Sequence, residues 1–192
     1  MRVIAGAAGG LRLDVPKTDV RPTMDRVKAA IFSSLGDLVI GARVLDLFAG
    51  TGALGIEALS RGAASALFVE ENSAAIAAIE RNLARTKLAG RVRKQDVFAF
   101  LRSKQTREPF QIILADPPYE KAKSGGEFTS LLLEDPELAQ MLDPSGVFVL
   151  EKRPAEQMPP MPLWSVSRAR AYGATEVLFL HRAGIAAEAR AR

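Results

Sequence analysis

Residues 114–120, LADPPYE, close an apolar run with an aspartate, two prolines and a tyrosine. Proline lacks an N–H and fixes its own φ, so Asp116-Pro117-Pro118-Tyr119 is a stiff chain end where regular hydrogen bonding stops. A carboxylate and a main-chain carbonyl held still there can both accept hydrogens from one exocyclic amine, and the Tyr119 ring can stack on the base that carries it. An exocyclic amine is a weak nucleophile while its lone pair is delocalised into the ring. Holding it in line with an electrophilic sulfonium methyl is mainly a positioning task. The plainer alternative is a proline-stiffened loop with a surface aspartate.

A second constellation lies upstream. Gly50, Gly52 and Gly55 in LDLFAGTGALGIEAL, residues 45–59, match G-x-G-x-x-G between a strand and a helix. Glycines there permit a tight turn and close approach of a ligand to the main chain. About twenty residues further on, Glu70 ends the next strand, where a carboxylate can accept hydrogen bonds from both ribose hydroxyls. NAD and S-adenosylmethionine both carry an adenosine ribose, so Glu70 does not choose between them. Asp46, in the first strand, suits a cationic ligand such as the amino group of a methionine moiety and opposes a pyrophosphate. Asp96 follows the third strand and either bonds an adenine amine or caps a helix.

These residues require a frame of alternating strands and helices. Strands are expected at 44–48, 66–70, 91–95, 110–115 and 147–151, and helices at 52–61, 73–88, 97–103 and 128–142. Ile76, Ile79, Leu83 and Lys87 would share one side of the second of these helices. Trp164 to Ala171 and Glu176 to His181 follow without an intervening helix and read as a hairpin turning at Tyr172-Gly173. The implied fold class is α/β, a doubly wound, mostly parallel sheet with an antiparallel C-terminal hairpin. Ligands lie at the carboxyl edge of such sheets, where Asp116 stands. Residues 1–40 differ: two short strands across a Gly6 to Gly10 turn, then a helix starting at Pro22-Thr23. The expected organisation is an N-terminal hairpin and helix extension at 1–40, a main domain at 41–183 and a tail at 184–192.

Composition narrows the function classes. The 192 residues include no cysteine and one histidine, His181, so disulfides, thiolate nucleophiles and clustered Cys or His metal sites fall away. Cytosine-C5 methylation, which needs a cysteine nucleophile, falls with them. No apolar run reaches membrane-spanning length and the N-terminus lacks a signal-peptide h-region, so the expectation is a cytoplasmic protein with no membrane or metal. The formal net charge of +4 is a mild pointer to a polyanionic partner.

D-P-P-Y after the fourth strand, with the glycine strand, is similar to the amino-methyltransferases that use S-adenosylmethionine. RPTMDRVKAAIFSSL (residues 21–35), LDLFAGTGALGIEALSRGA (residues 45–63) and D-P-P-Y together resemble the RsmD-type bacterial methyltransferases of small-subunit ribosomal RNA, which modify guanine N2. Order and spacing agree from Arg2 to His181. The resemblance implies a seven-stranded class I methyltransferase (Rossmann-like) fold, S-adenosylmethionine as donor, and a guanine of 16S rRNA in a small ribosomal subunit particle as acceptor. By the same resemblance Asp46, Phe48, Gly50, Gly52, Glu70, Asp96 and Thr23 fall in the cofactor pocket. Asp116, Pro117, Pro118 and Tyr119 would hold the target amine. Arg21, Thr23, Asp25 and Arg26 belong to the family's N-terminal motif, Arg26 helping to order the site or forming a surface ion pair.

One departure stands out. Family members commonly carry basic residues in the N-terminal turn, which here reads Gly6-Ala7-Ala8-Gly9-Gly10. Arg2, Arg12, Lys17, Arg21, Arg26 and Lys28 still outnumber Asp14, Asp19 and Asp25, so this segment is the expected RNA-facing surface, the alternative being a merely solvated mixture of charges. Rival readings are an amino-methyltransferase acting on DNA adenine or cytosine or on protein glutamine, an NAD-dependent oxidoreductase, which leaves D-P-P-Y unexplained, and a catalytically silent RNA-binding protein.

Overall fold

Valine, isoleucine and leucine runs bounded by glycine and proline form the centre of the molecule. The computed structural model describes residues 1–15, 23–103, 108–118 and 127–184. Strands β1 (Arg43–Leu47), β2 (Ser65–Glu70), β3 (Arg91–Lys94), β4 (Phe110–Ala115), β5 (Leu142–Lys152), β6 (Trp164–Tyr172) and β7 (Thr175–Arg182) make one sheet in the order β3-β2-β1-β4-β5-β7-β6. Strands β1 to β5 pair in parallel; β7 runs antiparallel to both β5 and β6. The expected doubly wound sheet with an antiparallel C-terminal hairpin is therefore present.

Strand side chains alternate between faces, so each central strand contributes to two cores. Val44, Ile112, Leu114, Val147, Val149 and Val177 point into one, with Val27, Ile31 and Phe32 of α1 (Thr23–Leu35) and Ile56 of α2 (Ala53–Ser60). Leu45, Ile113, Phe148 and Leu178 point into the other, with Phe100 of α4 (Val97–Arg102), Leu133 of α5 (Glu127–Glu134) and Leu138 of α6 (Pro136–Met141). The helix α3 (Ser73–Thr86) covers the first face through Ile79 and Leu83.

Three local readings change. The single helix expected over 128–142 is two, because Pro136 occupies the first turn of α6 and Asp135 turns extended to cap it, accepting from the amides of Glu137 and Leu138. The strand expected at 147–151 begins earlier, at Leu142, which pairs with Phe110 before a register shift. Lys87 is not on the apolar side of α3; it ends the helix in a left-handed conformation, φ 56°.

The N-terminal segment also differs. The expected hairpin is one antiparallel bridge, Arg2 to Arg12, with main-chain bonds joining Val3 to Leu11 and Leu13 to Met1. It is fixed mainly to α2. Glu57, fully buried, accepts from the amides of Ile4 and Ala5 at 2.7 and 3.1 Å, from Arg61 Nε at 2.7 Å, and faces Lys28 Nζ at 3.5 Å. Ser60 adds bonds to Ala5 and Ala8. The chain of Gly6 passes so close that a Cβ there would lie 1.8 Å from the Ser60 carbonyl oxygen, at φ +83°. The uncharged turn is thus a packing surface against α2.

Candidate active site

The carboxyl edge of the sheet opens onto a cavity of about 370 Å³. Three acids reach it from three strands: Asp46 of β1, Asp116 just past β4, and Glu151 of β5. They share a face because they continue the alternations Val44-Asp46, Ile112-Leu114-Asp116 and Val147-Val149-Glu151. The Phe48 to Leu54 turn forms one wall, and Ala174 and Thr175 of the β6–β7 hairpin form another. Met1, Val15, Val27 and Lys28 close a third side. The N-terminal segment, expected as an RNA-facing extension, is thus also a wall of this cavity.

Hydrogen bonds brace the glycine turn from below. Asp46 Oδ2 accepts from the Gly55 amide at 2.8 Å, an approach that a side chain at 55 would block, since its Cβ would sit 2.3 Å from the Phe68 ring. Glu70 accepts through Oε2 from the Gly50 amide and through Oε1 from the Asn72 amide, both at 2.8 Å. Gly50 and Gly52 take positive φ, 54° and 76°, and Gly52 leads into α2. Buried Asn82 of α3 donates to the carbonyls of Thr51 and Asp14 at 3.0 Å, while its Oδ1 accepts from the Asp14 amide. This amide ties the turn to the N-terminal segment.

Burial sets the electrostatics. Loss of solvent pushes the Asp46 carboxyl up to about 8; the Gly55 amide opposes this, and the charges of Asp116 and Glu70 reinforce it. Desolvation pushes Asp116 up to about 6. Glu151 is raised well above the ordinary carboxyl range by burial and then by Asp116 and Asp46. Burial lowers Lys28, against the opposing pull of Glu57 and Asp25. Burial thus favours the protonated forms of these acids, and a cationic ligand would favour their ionised forms.

The residues expected to act together are only partly assembled. Asp46, Phe48, Gly50, Asp116, Pro117 and Pro118 line the one cavity. Phe48 lies in the left-handed region, φ 55°, its ring packed 5.5 Å from that of Phe128 and 6.2 Å from that of Phe98. Asp96 is exposed and caps α4, accepting from the Ala99 amide at 2.8 Å. Thr23 opens α1; its side chain, with Lys17, Arg21 and Tyr119, lies outside the described residues. Arg12 and Arg26 are exposed, whereas Lys28, counted in the basic surface, is buried against Glu57 and donates to the Arg2 carbonyl. Sequence reasoning missed Glu57, Asn82 and Glu151. Of these, Glu151 left a signal: like Glu70 and Asp116, it is an acid at the carboxyl end of a parallel strand.

Comparison with known proteins agrees with this geometry. The family model described as conserved hypothetical protein 95 matches residues 1–181. The chain is 37% identical over 189 residues to the putative rRNA methyltransferase YlbH of Bacillus subtilis, covering 96% of this chain and 100% of that protein. It is 37% identical over 176 residues to ribosomal RNA small subunit methyltransferase D of Escherichia coli, covering 90% of this chain and 85% of that one. A solved putative methyltransferase, yhhF from Escherichia coli, superposes with a TM-score of 0.78 at 33% identity, covering 95% of this chain and 97% of that one. With its parallel sheet, glycine turn and strand-end D-P-P, the chain belongs to the family of ribosomal RNA small subunit methyltransferase D.

Proposed function

We propose that this chain methylates the exocyclic N2 amine of one guanine in small-subunit (16S) ribosomal RNA, presented in an assembled particle. As a member of its family it is a S-adenosylmethionine-dependent rRNA methyltransferase. The observation that carries the acceptor reading is the stiff Asp116-Pro117-Pro118 end of β4, opening into the same cavity as Asp46 and the glycine turn.

The residues fit the cofactor. S-adenosylmethionine supplies, when bound, an electrophilic methyl group on a cationic sulfonium. Asp46 supplies negative charge that favours the cationic methionine end, and its raised carboxyl is a group such a cation would help to ionise. Gly50 leaves the main chain open to a ligand, Gly52 packs close against Ile56 and Ile79 to let the chain turn there, and Phe48 offers an apolar wall. In this reading Glu70 accepts from the ribose hydroxyls, Asp96 accepts from the adenine amine through the oxygen not used in capping, and Thr23 belongs to the cofactor pocket.

On the acceptor side, Asp116 and a neighbouring main-chain carbonyl accept the two amine hydrogens and aim the nitrogen lone pair at the methyl carbon. Tyr119 stacks on the guanine. Formation of the C–N bond would break the donor's S–CH3 bond, the electron pair leaving on the thioether sulfur; the alkylated amine would be acidic, and Asp116, its carboxyl pushed up to about 6, would accept the proton. Arg12, Lys17, Arg21 and Arg26 supply phosphate contacts. The test is methylation, with tritiated donor, of small-subunit particles from a strain lacking this gene. Nucleoside analysis should show N2-methylguanosine; label on adenosine, on cytidine or on protein alone would overturn the reading.

A further inference from the structure

The Glu151 carboxyl has no role in the scheme above, yet it faces the same cavity as Asp116. Parallel register pairs Ala115 with Leu150, so the next step along β4 and β5 brings Asp116 and Glu151 side by side. Neighbouring strands lie about 4.8 Å apart. Strand order separates the two halves of the site: Asp46 and Glu70 lie in β1 and β2 and Asp96 follows β3, on one side of β4, while Glu151 stands on β5 on the other. Its strand neighbour on β7 is Val177, an apolar residue that offers no side-chain donor. Among the described residues none pairs with the Glu151 carboxyl. Glu151 is part-buried at the cavity wall, so its carboxyl oxygens are open to a donor that a ligand brings.

The Watson–Crick edge of guanine carries two adjacent donors, N1–H and the N2 amine. A base taken out of its stack is read along that edge. We propose that Glu151 is a specificity-determining residue that accepts the N1–H of the target guanine while Asp116 accepts from the N2 amine. Two acids on adjacent strand ends thus match two donors on adjacent ring positions. Adenine offers an unprotonated N1, which ionised Glu151 cannot bond, and no amine at position 2 for Asp116. A site built to bond an N–H rejects an analogue lacking it more strongly than an apolar pocket rejects a missing methylene.

The inference rests on the guanine reading, and its test separates the two. Particles are reconstituted with 16S rRNA bearing either guanosine or 2-aminopurine at the position the wild-type enzyme modifies. 2-Aminopurine keeps the amine but lacks N1–H. Single-turnover methylation and calorimetric binding of the donor are measured for wild type, Glu151→Gln and Glu151→Ala. Wild type should prefer guanine by at least about tenfold. Glu151→Gln, whose amide can donate to the bare N1, should shrink or reverse that preference while donor affinity stays within about twofold of wild type. Glu151→Ala should lose the preference without gaining the analogue. Retention of the wild-type preference by both variants would overturn the role of Glu151. A wild-type enzyme that binds donor but methylates no guanine would overturn the reading beneath it.

Discussion

At the scale of single residues, Asp116 separates positioning from cofactor binding. Asp116→Ala should lower the single-turnover rate of particle methylation far more than it lowers donor affinity, because the contact matters most as the bond forms. Tyr119→Phe should be mild, while Tyr119→Ala should lose about 1–3 kcal/mol of stacking. Methylation by Asp116→Ala at the wild-type rate would reduce the residue to a loop aspartate. The raised acids also predict a pH dependence. Asp46 titrates at about 8 and Asp116 at about 6 in the folded chain, against 3.8 as the ordinary value. The folded state therefore holds more protons than the unfolded one, so these groups lower stability as pH rises from about 4 toward 8. A cationic donor favours the ionised forms. Its affinity should rise with pH through this upper range, and binding should release protons, read by calorimetry in buffers of different ionisation enthalpy. A flat affinity without proton release would count against Asp46 as the cation's partner.

At the scale of elements, Glu57 joins α2, α1 and the N-terminal segment. Glu57→Ala removes the partner of buried Lys28 and strands the amides of Ile4 and Ala5. Breaking such a buried pair costs about 3–5 kcal/mol, measured by denaturant unfolding. Because Met1, Val15 and Lys28 wall the cavity, donor affinity should fall as well; unchanged stability would mean that the N-terminal segment docks by its apolar contacts alone. Most elements were legible because fully buried parallel strands read as unbroken apolar runs between glycines and prolines. The acids and glycines of the site were legible because they sit at the carboxyl ends of those runs. The break at Asp135-Pro136 was passed over because leucines on both sides keep one helical period through it. Glu57 was not visible as a hub because its partners come from elements distant in the chain, and packing rather than local pattern joins them. Lys28 misled for the same reason: a lysine reads as surface until a buried carboxylate is placed opposite it.

For the whole molecule, a net charge of +4 and exposed Arg12 and Arg26 predict electrostatic capture of a polyanion. Binding to small-subunit particles should weaken steeply with salt as counterion release loses its advantage. Affinity that is level between about 50 and 200 mM salt would contradict phosphate contacts as its main source. The sheet order has a different consequence, for synthesis. Among the described residues the last strand in chain order, β7, lies inside the sheet, between β5 and β6. A nascent chain made at about 5–20 residues per second therefore presents β6 before β7 has emerged to pair with it. Most of β6 is exposed even in the finished fold, and Ser165, Ser167 and Arg170 keep it polar while it waits. A chain stalled on the ribosome with β6 outside and β7 still in the tunnel should have β6 open to protease and the β5 edge unpaired; release of β7 should protect both in one step.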